Sequence, residues 1–194
     1  MTAGAENLTR AMRSLEKLFL IGVEGVTEIW LVRHADVYDD LLHVEDPPLS
    51  ARGRMQAAQL AERVRRAKPA AVYASPFQRA IETARFITDD LQVDERLIEM
   101  DLVIGEDGSF DLKEAPDAAA ARMRAALGDM VAAHPGSRVI AVTHGAAIIA
   151  CLSDLMQLEP GRLRLLPYYT SISTVRVLGD RHMVGTLGDV AHLE

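Results

Sequence analysis

The chain has 194 residues, a formal net charge of −7, 49% hydrophobic residues and one cysteine. That length supports one domain with a full hydrophobic core plus an appendage. The acidic balance speaks against nucleic acid, whose phosphates reward a basic face, and against adhesion to an anionic membrane, so any basic pocket must be local. Cys151 has no partner for an internal disulfide and lies in the apolar run 148–152, where it reads as a core thiol.

Apolar positions at Leu8, Met12, Leu15, Phe19 and Gly22, with Arg10, Arg13 and Lys17 between them, predict an amphipathic helix over residues 6–22. It precedes the first strand, which divides the chain into an N-terminal helical extension, residues 1–27, and a domain of residues 28–194. The stripe must cover apolar surface on its own domain or on a second subunit, which makes a homodimer through this helix one expectation. The apolar patch 18–23 is flanked by Glu16, Lys17 and Glu24, with no small-residue cleavage site. No stretch is long enough to span a bilayer, so neither a membrane partner nor a secretory signal is expected, and a cytoplasmic location is.

Residues 28–33 predict the first strand, and the acidic, turn-rich segment 36–48 a mobile loop beside it. Ser50 is placed to cap a helix that runs to about residue 67 and stops at Lys68-Pro69. A second short strand is expected over 70–74. Ser75-Pro76 then predicts a helix running toward residue 89, with serine as the cap and proline at the first helical position. Residues 93–97 predict a third strand, and the Gly/Asp-rich stretch 105–108 an excursion or lid. An alanine-rich helix carrying Met123, Leu127 and Met130 ends before His134-Pro135-Gly136. A strand over 139–143 and an apolar helix over 146–156 follow, and the segments 172–178 and 182–187 predict a hairpin around Gly179-Asp180. Strands alternating with helices imply a three-layer α/β/α sandwich with a mostly parallel central sheet.

Two segments share a layout that carries the chemistry. Ile29-Trp30-Leu31-Val32-Arg33-His34-Ala35 and Val139-Ile140-Ala141-Val142-Thr143-His144-Gly145 are both short apolar runs that stop at a histidine followed by a small residue. Each histidine should sit where a buried strand hands over to a loop or helix, the edge at which open α/β sheets bind ligands. If the strands are parallel neighbours, two imidazoles and Arg33 meet in one crevice suited to an anion. Arg33 beside His34 sets a guanidinium fork next to a nitrogen nucleophile, which suits attack on a phosphate monoester. The plainer readings are a strand-end pair facing solvent and a His144 satisfied in the core. Arg79, in the first turn of its helix, lies among backbone amides that also favour an anion.

Five blocks in order, Leu31-Val32-Arg33-His34-Ala35, Leu49-Ser50-Ala51-Arg52-Gly53-Arg54-Met55-Gln56-Ala57, Ser75-Pro76-Phe77-Gln78-Arg79-Ala80-Ile81-Glu82-Thr83-Ala84, Arg96-Leu97-Ile98-Glu99 and Val142-Thr143-His144-Gly145, resemble the histidine phosphatase superfamily, also called phosphoglycerate mutase-like. The resemblance extends from about residue 28 to the C-terminus and leaves the N-terminal helix unexplained. It implies that His34 becomes phosphorylated, that Arg33, Arg79 and a cationic His144 hold the phosphoryl oxygens, and that Glu99 is the proton donor. Without a metal, an alkoxide leaving group needs such an acid. Asp101, two residues on, is the rival for that role. The family commonly has Gly after the catalytic histidine, then Thr and Asn, where this chain has Ala35, Val37 and Asp40; Asp36 adds a further charge that could meet a cationic part of a substrate. Of the other histidines, His43 is placed to line the loop, while His134, His182 and His192 read as surface residues.

The expected activity is metal-independent hydrolysis of a small phosphomonoester through phosphohistidine, with no cofactor. No H-E-x-x-H motif, paired cysteines or nucleotide-binding glycine loop is present. Two alternatives stand beside it: phosphoglycerate mutase-type transfer back to a hydroxyl, and a non-catalytic module that binds a phosphorylated ligand.

Overall fold

In the computed structural model, which describes residues 3–38, 46–104 and 110–194, the two histidine-ending runs are adjacent parallel strands. Strand β1 (Thr27–Arg33) pairs with β6 (Arg138–Thr143), with Arg33 opposite Thr143. β2 (Ala71–Ala74) and β3 (Gln92–Val93) continue the parallel part beyond β6, and β7 (Ile172–Leu178) and β8 (Arg181–Val184) add an antiparallel edge beside β1. The sheet order is β3-β2-β6-β1-β7-β8.

Strand periodicity divides the core into two layers. Ile29, Leu31, Val139 and Ala141 pack with Met123, Met130, Ile148 and Leu152 from α4 (Pro116–Ala133) and α5 (Gly145–Leu155). Trp30, Val32, Ile140 and Val142 pack on the other face with Leu60 and Val64 of α2 (Ala51–Ala67), and with Ala80 and Ala84 of α3 (Gln78–Arg85). This is the expected three-layer sandwich. Cys151 is buried in the first layer, and burial pushes its thiol up to about 12.

Helix α2 is bounded as its ends predict: Ser50 Oγ accepts from Gly53 N, and Lys68 ends the helix in a left-handed conformation before Pro69. Three other expectations need correction. The N-terminal helix α1 (Ala3–Leu18) ends four residues before Gly22, because Leu20 adopts a positive φ and turns its side chain into the protein. Met12, Leu15 and Phe19 stay exposed, so the apolar stripe covers little of its own domain. Ser75 does not cap α3; the cap position is Phe77, and the helix ends at Arg85. The strand expected over 93–97 is cut to Gln92–Val93, because the Asp94 carboxylate accepts from Arg96 N and winds Glu95–Leu97 into a 3-10 turn. β4 (Leu102–Ile104) and β5 (Phe110–Leu112) form a separate hairpin. The stretch 105–108, Asp40 and His43 lie outside the described residues. No helix among the described residues is long and apolar enough to cross a membrane.

Candidate active site

The C-terminal ends of β1 and β6 bring the two histidines together. His34 N donates to Thr143 O at 2.9 Å, and the imidazole centroids of His34 and His144 lie 5.1 Å apart. His34 is 5% exposed, and its Nδ1 lies 2.8 Å from Ala35 O. A carbonyl oxygen can only accept, so Nδ1 carries the proton and Nε2 keeps the ring's lone pair. Burial, reinforced by the positive charges of Arg79 and Arg33, pushes this imidazole down to about 3, although its bond to Ala35 O works the other way. The ring is therefore neutral through the neutral and mildly acidic range.

His144 is fully buried, and its Nε2 meets Ser75 Oγ at 2.8 Å. Burial, then His34 and the charges of Arg79 and Arg33, hold it well below the ordinary imidazole range. The expected cationic His144 is thus corrected to a neutral ring in the unliganded site. With the Ser75 hydroxyl donating to Nε2, the proton resides on Nδ1, an assignment made from the bonding pattern. That Nδ1 is buried without a hydrogen-bond partner among the described residues, and so is Arg33 Nε. Two orphaned buried donors beside an imidazole lone pair are costly unless an acceptor joins them. The guanidinium of Arg33 is fixed by Nη1 donating to Pro167 O at 2.8 Å and by stacking 4.2 Å from the centre of the Tyr169 ring. A Cβ at Gly145 would lie 3.5 Å from Arg33 Nε, so the glycine leaves open the space beside that unpaired atom.

Arg79 is the second residue of α3 and reaches Asp46 with Nη1 at 2.9 Å. Asp46 also accepts from Gln78 N, so this carboxylate serves the helix N-terminus in place of the serine expected there. Ser75 is free to bond His144 as a result. Arg33, His34, Arg79 and His144 thus share one neighbourhood, as the sequence predicts.

Glu99 follows the 3-10 turn and sits at the start of α5. Its Oε1 accepts from Met100 N at 2.8 Å and Ala147 N at 2.9 Å, and Oε2 from Ala146 N at 3.4 Å. The rival Asp101 has an exposed side chain, and its backbone bonds lead to Lys113 and Glu114. Arg122 on α4 holds the Glu99 segment by donating to Arg96 O and Ile98 O, each at 2.8 Å, and to Glu99 O at 3.3 Å.

The departures after His34 have structural uses. Ala35 and Val37 are buried with Leu49 and Ala57. The Ala35 amide donates to Thr83 Oγ at 3.0 Å. The Asp36 carboxylate accepts from the Ser50 hydroxyl at 2.7 Å, which ties the loop to α2. His134 bonds Tyr73 and His192 bonds Thr170, so both are part-buried, whereas His182 is exposed. The sequence assigns no site role to Tyr169, Asp46 or Arg122, and it presents Ser75 and Thr83 only as a helix cap and a member of a motif. One signal was available: two of the chain's four tyrosines are adjacent at 168–169, just before the final hairpin.

The family "Histidine phosphatase superfamily (branch 1)" matches residues 29–111 and 104–190. The chain belongs to the histidine phosphatase superfamily. A "Probable phosphoglycerate mutase GpmB" from Enterobacter sp. (strain 638) is 30% identical over 204 aligned positions, covering 86% of this chain and 95% of the relative. The same fold occurs in a phosphoserine phosphatase from Entamoeba histolytica solved with 3-phosphoglyceric acid, at TM-score 0.72 and 23% identity over 87% of this chain and 100% of that one. A mycobacterial glucosyl-3-phosphoglycerate phosphatase complexed with VO3 aligns at TM-score 0.69 and 21% identity, covering 83% of this chain and 98% of its own. In this member of the superfamily, the described residues Arg33, His34 and His144 lie at the carboxyl edge of the parallel strands.

Proposed function

We propose that this chain hydrolyses a phosphomonoester through a covalent phosphohistidine at His34. The observation that carries the reading is a neutral, buried imidazole whose Nδ1 is tied to Ala35 O, set beside two buried donors, Arg33 Nε and His144 Nδ1, that lack acceptors. A phosphoryl group would satisfy both donors while its phosphorus faces the Nε2 lone pair.

In the first half-reaction, His34 Nε2 forms a bond to phosphorus as the ester P–O bond breaks, and Glu99 gives its proton to the departing oxygen. In the second, Glu99 takes a proton from water, whose oxygen bonds phosphorus as the P–N bond breaks. Orthophosphate leaves and the imidazole is restored. Arg33, Arg79 and His144 stabilise the charge that spreads over the equatorial oxygens, in a site whose donors are already oriented. Asp46 orients Arg79, and Arg122 orients Glu99.

Release of inorganic phosphate from a diverse panel of phosphomonoesters tests this, with His34→Ala protein as the blank. Release that disappears in the blank supports the nucleophile, and undiminished release removes it. The relative named as a probable phosphoglycerate mutase favours a second reading, return of the phosphoryl group to another hydroxyl. Isomer formed from 3-phosphoglycerate without phosphate release would select it.

A further inference from the structure

A cavity of about 940 Å3 lies between α4, α5 and the β4–β5 hairpin, within the size range of small-molecule sites. None of His34, His144, Arg33, Arg79 or Glu99 lines it, but one end is walled by two residues that are bonded to the proposed acid. Met100 and Ala146 are in its wall, and the amides of both donate to the Glu99 carboxyl. From Ala146 the cavity follows α5 past its last turn to Gln157, about 16 Å at the helical rise.

Its walls include Leu102, Pro116, Ala120 and Ile149. Among them lies one unsatisfied polar group: Ser153 Oγ, on a residue 6% exposed, has no hydrogen-bond partner among the described residues. The charged side chains at the lining are Asp117, Asp154 and Glu159 against Arg124, and Arg124 is paired with Asp154 at 3.0 Å. The cavity therefore offers apolar surface and a hydroxyl, and its net charge disfavours a second anionic group.

Resting on the phosphatase reading, we propose that this cavity receives the alcohol portion of the substrate. The substrate class is a monophosphate ester of an extended, mainly apolar and uncharged alcohol, with a hydrogen-bonding group that reaches Ser153. The chemistry requires the ester oxygen that takes the Glu99 proton to lie beside Glu99, whose carboxyl is bonded to the amides of Met100 and Ala146 in the cavity wall. A carboxylated ester such as a phosphoglycerate would instead face Asp117, Asp154 and Glu159.

The test compares kcat/KM for octyl phosphate and 3-phosphoglycerate, then the octyl phosphate to phosphoserine ratio in Ile149→Trp, Ile149→Asp and Ser153→Ala proteins of unchanged circular dichroism. The expected result is at least tenfold preference of the wild type for octyl phosphate, and at least tenfold loss of the ratio in either Ile149 variant. Ser153→Ala should leave octyl phosphate unaffected but weaken turnover of an 8-hydroxyoctyl phosphate. No preference in the wild type, or equal losses on both esters, overturns the proposal. Calorimetric binding of octyl phosphate to His34→Ala protein separates the two readings. Tight binding that Ile149→Trp abolishes upholds the subsite even if His34 proves not to be the nucleophile, and binding insensitive to that change overturns it even if hydrolysis is confirmed.

Discussion

Acidification should destabilise the wild-type protein more steeply than a His34→Gln variant. Unfolded, the His34 imidazole takes up a proton near the ordinary value of 6.5, whereas burial in the folded protein lowers that value to about 3. Between these limits the unfolded chain binds more protons, so stability falls as pH falls; the contribution is complete above 6.5 and lost progressively toward 3. A pH of 4.5 lies about two units below the unfolded ring's value, equivalent to about 2.7 kcal/mol at ~1.36 kcal/mol per unit. Extended over the full shift, the loss approaches about 5 kcal/mol. Glutamine does not titrate here, while other groups with lowered values, such as Asp94, Glu114 and Asp189, remain in both proteins and largely cancel. Urea unfolding at pH 7, 5.5 and 4.5 gives the comparison. The stability difference between the two proteins should move by about 2 to 3 kcal/mol against the wild type from pH 7 to 4.5. Parallel pH curves would refute the claim that His34 is held neutral by burial, and with it the claim of a nucleophile ready in mild acid.

Three further expectations follow from particular contacts. Gly53→Ala would place a Cβ 2.0 Å from Asp36 O, a backbone clash that only movement of the loop after His34 relieves, so thermal unfolding should show a loss of about 3 kcal/mol, on the order of 10 °C. Arg122→Leu removes the donors that hold Arg96 O, Ile98 O and Glu99 O. It should lower kcat about 10- to 100-fold for alkyl phosphates, which need a proton on the leaving oxygen, and much less for p-nitrophenyl phosphate, which does not; equal losses would assign Arg122 a purely structural role. Ser75→Ala leaves His144 Nε2 unpaired and frees the tautomer, at about 1 to 2 kcal/mol or roughly tenfold in kcat/KM; an unchanged value would remove Ser75 from the site.

Residues whose roles follow from short-range pattern were legible in the sequence. Arg33, His34 and His144 end two apolar runs that the sheet makes neighbours, and Ser50 and Lys68 bound α2 by local capping. The segment after Val93 was misread because Asp94 satisfies a nearby amide, a local bond that β-propensity does not register. The α3 start was misread for the opposite reason: its cap is Asp46, more than 30 positions away in the chain, and a charged carboxylate at two amides and a guanidinium displaces the serine that sequence rules favour. Arg122 and Tyr169 act on groups distant in sequence, through backbone carbonyls and a ring face. Such partners leave no spacing pattern, because a carbonyl acceptor is present at every residue.

The central claim is a covalent bond between His34 and phosphorus, and the direct measurement is to catch it. The protein is mixed with a turned-over phosphomonoester, quenched in alkali within milliseconds and digested, and the peptide containing residue 34 is examined by mass spectrometry. The account predicts a phosphate on His34 that survives alkali, is lost in acid and is absent from His34→Ala protein. Turnover at the same rate with no such adduct, or with phosphate on a different side chain, would contradict it.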